Sequence, residues 1–304
     1  MELIRIVNRG ICGTVERLLP LSLLLMMLSL GMSGVSSASV AEANVTPSAS
    51  LETETGQSAS SQWDVAAPDY TVESSPARVR TSTGTWMSLD VSPDGRQVVF
   101  DLLGDIYLLP IKGGEAVPII EGISWDIQPR FSPDGGSIAF TSDRDGGDNI
   151  WTMDLATETF RQVSFESFRL LNNPVWHPSG NYIAARKHFT TSRSLGAGEI
   201  WTYHVKAEDG AMGAPLVKRP SPNYQKELGE PAYGSQGDLL YYTQSATPGN
   251  TFIYHEDSNG ALFAIKRLNL TDGSTEVVAG GAGGAVRATP SPDGVWLAYV
   301  KRVR

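Results

Sequence analysis

Four histidines, one cysteine and one acidic loop are the places where this chain would do chemistry. A hydrolytic metal centre usually opens with two histidines one residue apart. His177, His188, His204 and His255 stand far from one another, so no such centre is spelled. No Gly-x-Ser-x-Gly sequence occurs, which removes the strained elbow of a serine hydrolase. The run Asp143-Arg144-Asp145-Gly146-Gly147-Asp148 has the carboxylate spacing of a calcium loop, but it lacks the later bidentate glutamate. Its Asp and Gly content also suits a plain hairpin tip. Gly280 to Gly284 is followed by neither a helical pattern nor a Lys-Ser/Thr pair, so it reads as a connection rather than a phosphate cradle. The expectation is a chain without catalytic residues, metal or cofactor of its own.

Binding is the chemistry that remains. A formal charge of -9 gives a nucleic-acid backbone nothing to attract, and no basic run follows the first few dozen residues. Long polar segments carry Asp143, Arg144, Arg169, Lys187, His188, Arg193 and Glu227, which are the candidate binding-face residues. Arg186-Lys187-His188 has a structural alternative, because basic residues leaving a strand are commonly solvated or paired with a neighbouring carboxylate. Whether these residues share one face depends on the elements around them.

Those elements repeat. Ser92-Pro93-Asp94-Gly95 returns as Ser132-Pro133-Asp134-Gly135 and Ser291-Pro292-Asp293-Gly294, with degenerate copies at His177-Pro178-Ser179-Gly180 and Gly234-Ser235-Gln236-Gly237. The copies start 40, 45, 57 and 57 residues apart. A period near forty with insertions suits a four-stranded propeller blade. Pro at the second position presets φ and Gly at the fourth takes a conformation other residues resist, so each phrase predicts a tight turn. Phe131, Trp176 and Tyr233 stand ahead of the turns, as fillers between neighbouring sheets. Short β-prone runs such as Val98-Val99-Phe100 and Ile138-Ala139-Phe140 come behind them. The fold predicted is all-β: a β-propeller of four-stranded antiparallel blades, four blades plus the start of a fifth, hence an incomplete ring. The alternative is a four-bladed ring in which the last segment completes the first blade.

In this arrangement the loop between strands two and three opens on the same rim as the segment leading into the next blade. Asp143 to Asn149, Lys187 to Gly198 and Gln244 to Asn259 then join Ser124 to Pro129, Phe168 to Pro174 and Lys226 to Pro231 on one working face.

The segments ahead of the blades differ in kind. Arg5, Arg9 and Arg17 precede the apolar stretch Leu18 to Leu30, and small residues lead to Ala41, the order of a secretory signal peptide over residues 1–41. The stretch is shorter than the roughly 20 apolar residues of a spanning helix, so no stable membrane insertion is expected after cleavage. Cys12 leaves with the leader, and a periplasmic or secreted domain without disulfides must rest on its apolar core. Residues 42–84 are rich in Ser, Thr, Ala and Glu and read as a flexible linker, with Trp63, Tyr70 and Val72 able to dock. Residues 85–304 form the propeller part.

The Ser-Pro-Asp-Gly units resemble the WD-repeat-like propeller of TolB-type periplasmic proteins. Trp86 to Val91, Asp101 to Tyr107, Thr141 to Arg144, Arg169 to Pro174 and Ser194 to Trp201 resemble the N-terminal propeller of large exported amidohydrolases of the metal-dependent hydrolase superfamily. That resemblance implies a propeller that docks or gates its own C-terminal catalytic domain, with a divalent metal such as zinc confined to a domain absent from these residues. The TolB-type resemblance implies instead a binding module for a protein of the cell envelope.

Overall fold

Each blade is organised from the same corner. The computed structural model describes the backbone of residues 3–8, and residues 79–302 apart from 168–169, 191–196, 207 and 209–210. The leader's apolar stretch, most of the linker, Arg169 and Arg193 lie outside the described residues. In the first corner the Ser92 hydroxyl donates to Asp94 Oδ1 (2.6 Å) and accepts from the Gln97 amide (2.9 Å), while Gly95 sits at φ +69°. Ser132 and Asp134 repeat the clasp at 2.5 Å with Gly135 at +74°, and Ser291 and Asp293 repeat it with Gly294 at +71°. The short side chains accept the amides that the turn leaves unpaired, and glycine alone takes the left-handed position without strain.

Five sheets follow from these corners. The first strand, β1 (Leu3–Asn8), belongs to the fifth sheet. Blade one comprises β2 (Leu89–Val91), β3 (Gln97–Leu102), β4 (Asp105–Pro110) and β5 (Val117–Ile120). Blade two comprises β6 (Ile127–Phe131), β7 (Ser137–Ser142), β8 (Asn149–Asp154) and β9 (Phe160–Gln162). Blade three comprises β10 (Leu171–Trp176), β11 (Tyr182–Phe189), β12 (Ala197–His204) and β13 (Ala214–Val217). Blade four comprises β14 (Leu228–Tyr233), β15 (Leu239–Ser245), β16 (Phe263–Asn269) and β17 (Thr275–Ala279). All four are antiparallel meanders in chain order. The fifth sheet pairs β18 (Ala285–Pro290) with β19 (Trp296–Lys301), and the backbone of β1 runs antiparallel along the other edge of β19. The last hairpin thus forms a sheet of its own instead of completing blade one, which settles the choice between the two ring readings for the described residues.

The burial pattern explains which strand goes where. β7 and β15 are buried on both faces, as expected for β-branched and aromatic runs covered by a neighbouring sheet on each side. β17 is almost entirely exposed, which marks an outer edge. The first strands of successive blades neighbour one another, β2 with β6, β6 with β10, β10 with β14 and β14 with β18, so they lie nearest the common axis.

The core is correspondingly divided into four seams. Val99, Ile106, Phe131 and Phe140 join blades one and two. Ile150, Leu171, Trp176 and Ile183 join two and three. Ala184, Ile200, Leu228 and Leu240 join three and four, and Tyr241, Ile265, Ala285 and Leu297 join four and five. Phe131 and Trp176, the fillers ahead of the turns, are indeed buried in these seams.

A candidate binding rim

The end of the sheets opposite the Ser-Pro-Asp-Gly corners carries the long loops, and charged side chains tie the described loops or their flanking strands to the lead-in segments. In blade two, Arg144 on the β7–β8 loop bonds Asp126 at 2.8 Å, and its guanidinium lies 4.3 Å from the Phe160 ring centre and 5.2 Å from those of Phe140 and Trp151. Asp126 is almost wholly buried, and burial pushes its carboxyl upward against the pull of Ser142 and Arg144. Asp143 accepts the Trp125 amide at 2.8 Å, joining the same two segments.

Blade three uses the same logic with lysine. Lys187 Nζ bonds Glu166 at 2.6 Å and stands 4.1 Å above the Trp201 ring, while the Tyr203 hydroxyl donates to Glu166 at 3.2 Å. Burial and the Glu166 charge push the Tyr203 phenol well up. In blade four the polarity is reversed. Lys226, 2% exposed, comes from the lead-in segment and donates to Thr247 Oγ1 (2.5 Å) and the Pro248 carbonyl (2.8 Å), with Glu256 at 3.5 Å. Glu227 bonds Arg186 of blade three at 3.2 Å, and burial raises its carboxyl.

Of the candidate residues named from the sequence, Asp143, Arg144, Lys187 and Glu227 each hold a loop, lead-in segment or neighbouring blade in place at this end of the sheets. His188 lies within β11, its amide donating to the Leu170 carbonyl at 2.8 Å.

The innermost strands carry a second feature, which the corner phrase does not spell. Gln128, Asn173, Glu230 and Arg287 have φ of +58°, +53°, +51° and +57°, and each sits in a bulge of β6, β10, β14 or β18. Left-handed backbone is uncommon for such residues, and its cost must be offset locally. For Gln128, Asn173 and Arg287 the offset comes from the preceding blade. Asp101 accepts the amides of Ser88 and Gln128, both at 2.7 Å; Gln128 Oε1 accepts the Asn173 amide at 2.6 Å; Glu230 Oε2 accepts the Arg287 amide at 3.1 Å. Each of the four stands four residues before its corner phrase, and proline follows the first three. That fixed offset is the signal by which the sequence announces them.

Blades of this kind, stacked about an axis and joined by nearest-neighbour seams, define an open β-propeller. Residues 70–206, somewhat under half of the chain, match the family described as the TolB beta propeller domain. The Tol-Pal system protein TolB of Gluconobacter oxydans (strain 621H) is 31% identical over 87 residues, which are 27% of this chain and 19% of that protein. The uncharacterized peptidase YuxL of Bacillus subtilis (strain 168) is 25% identical over 173 residues, 47% of this chain and 25% of that protein. The chain thus spans about a fifth and a quarter of these two relatives. A solved structure from Agrobacterium tumefaciens, assigned as a TolB, superposes with a TM-score of 0.50 at 18% identity, covering 71% of this chain and 90% of that one. The fold is TolB-like.

Proposed function

We propose that this chain is a TolB-like binding module of the cell envelope that takes a protein partner on its loop-bearing rim. The observation that carries the reading is a charged tie to each lead-in segment: Arg144 and Lys226 fasten the loops of blades two and four, and Lys187 ties strand β11 of blade three. Loops held in one geometry cost less to order on binding, which is what a recognition surface requires. The chain is exported to the periplasm or beyond, in keeping with the charged, apolar and small order of residues 1–41. Among the described residues no helix is long and apolar enough to cross a membrane.

The second reading is the accessory propeller of an exported amidohydrolase, docking or gating a zinc-type catalytic domain outside these residues. It draws support from the phrases Trp86 to Val91, Asp101 to Tyr107, Thr141 to Arg144, Arg169 to Pro174 and Ser194 to Trp201. Among the described residues no His, Cys, Asp and Glu side chains are grouped to hold a metal.

Photo-crosslinking in the native envelope separates the two readings. With a photoreactive residue at Trp125, half exposed on the rim, the binding-module reading expects an adduct with another protein. An adduct confined to a catalytic domain of the same polypeptide, together with zinc-dependent amide hydrolysis by the intact protein, favours the accessory reading.

A further inference from the structure

Blade four holds the longest loop described on the rim, residues 246–262 between β15 and β16, and its tip is apolar. Phe252, Ile253 and Tyr254 are 41%, 39% and 74% exposed, and the Phe252 and Tyr254 rings meet edge to face at 5.0 Å. Three such side chains side by side in water are costly, and scattered single apolar residues do not explain them. The flanks of the loop are fastened. Its base closes through Ala246 N to the Leu262 carbonyl (2.9 Å), and Gln225 N reaches the Asn250 carbonyl at 2.8 Å. On the far side Gly283 N donates to the carbonyls of Asn259 (3.2 Å) and Gly260 (3.0 Å). At the centre is Lys226, a buried ammonium whose desolvation is offset by Thr247, Pro248 and Glu256.

We propose that Phe252, Ile253 and Tyr254 are the anchor by which this propeller seats in an apolar socket, bordered by basic side chains, on a protein of the cell envelope. The proposal rests on the binding-module reading and names its contact. Aromatic and bulky aliphatic side chains on a fixed support are the composition of binding hot spots, because their area is gained with little loss of rotamer freedom. Charge selects the class of partner. The loop contains no Lys or Arg, and of its two carboxylates Glu256 faces Lys226 while Asp257 carries the negative charge beside the tip. Membrane-surface anchors carry Lys or Arg beside their apolar residues and gain from anionic lipid, whereas this loop is repelled by it. A basic border around the socket is attracted instead.

The test places benzoylphenylalanine at position 254, at the second rim position 125, and at Val277 on the outer strand β17, in the intact protein in its own envelope. The expected result is an adduct with one protein from position 254 and none from 277. That protein, identified and purified, should bind the wild-type chain at least about tenfold more tightly than Phe252→Ser/Tyr254→Ser. Its affinity should fall as salt is raised. Lys226→Met, which leaves the tip side chains untouched, should weaken binding as well. Adducts to lipid, adducts to a second copy, equal labelling from 277, no adduct from 254, or affinity unchanged in the serine variant each overturn the anchor. An adduct from position 125 without one from 254 overturns the anchor and leaves the binding-module reading standing. Adducts from neither rim position overturn both.

Discussion

Asp126 and Arg144 show how much of the rim depends on single charges. Arg144→Ala leaves a buried carboxylate without its partner and should cost roughly 3–5 kcal/mol in denaturant unfolding. Asp126→Asn combined with Arg144→Ala removes the stranded charge and should recover a good part of that loss, a comparison that isolates desolvation from packing against Phe160. The corner aspartates titrate in the opposite sense. Asp94, Asp134 and Asp293 are held below the usual carboxylate range, first by the serine hydroxyls and then by backbone amides. A lowered folded value means stability that is present above the ordinary carboxylate pKa and lost as pH falls through the depressed one. Asp126 and Glu227, raised by burial, gain stability as pH falls from their raised values to the ordinary carboxylate value, an interval that lies above the one in which these corners lose it. Asp134→Asn keeps an acceptor for Ser132 without the charge, and should flatten the acid-side fall of the urea midpoint below about pH 4.

Bulges and corners are the elements on which the repeat is built, and they differ in how openly the sequence declares them. Pro and Gly at fixed positions give the corners away, because few conformations tolerate that pair. The same reasoning reaches the degenerate corner at His177, where the ring takes over from serine. Its Nδ1 accepts the Ser179 amide at 3.1 Å, leaving Nε2–H to donate to the Gly237 carbonyl at 3.3 Å. The rim was legible as a set of segments, since meander topology alone puts alternate loops at one end. What Arg144 and Lys187 do there was not legible, because pairing across 18 or 21 residues depends on side-chain geometry that no spacing rule carries. The bulges are hard to read because Gln, Glu and Arg, unlike Asn, are not residues that announce left-handed backbone; their common distance from the corner, and the proline after the first three, are what betray them. Replacement by glycine should therefore divide them. Arg287, whose side chain is 75% exposed, should tolerate Arg287→Gly with a gain of roughly 0.5–1 kcal/mol from relieved strain. Gln128→Gly gains the same relief but strands the Asn173 amide, and should be destabilising by thermal unfolding.

Across the whole molecule, stability is divided among four seams and has no single centre. Arrays of this kind behave as chains of nearest-neighbour couplings. Leu240→Ala, a fully buried change in the seam between blades three and four, should cost about 2–5 kcal/mol. Amide exchange should quicken mainly in blades three to five and leave Val99 to Leu108 protected; uniform loss of protection would show one cooperative core instead. The relay along the axis adds a direction to this additive picture. Asp101 precedes Gln128, Gln128 precedes Asn173 and Glu230 precedes Arg287, so wherever the relay is seen the accepting side chain comes earlier in the chain than the amide it receives. A polypeptide threaded amino end first through a translocation pore would deliver every receptor group before the group that needs it, and each new sheet would emerge onto a template already finished.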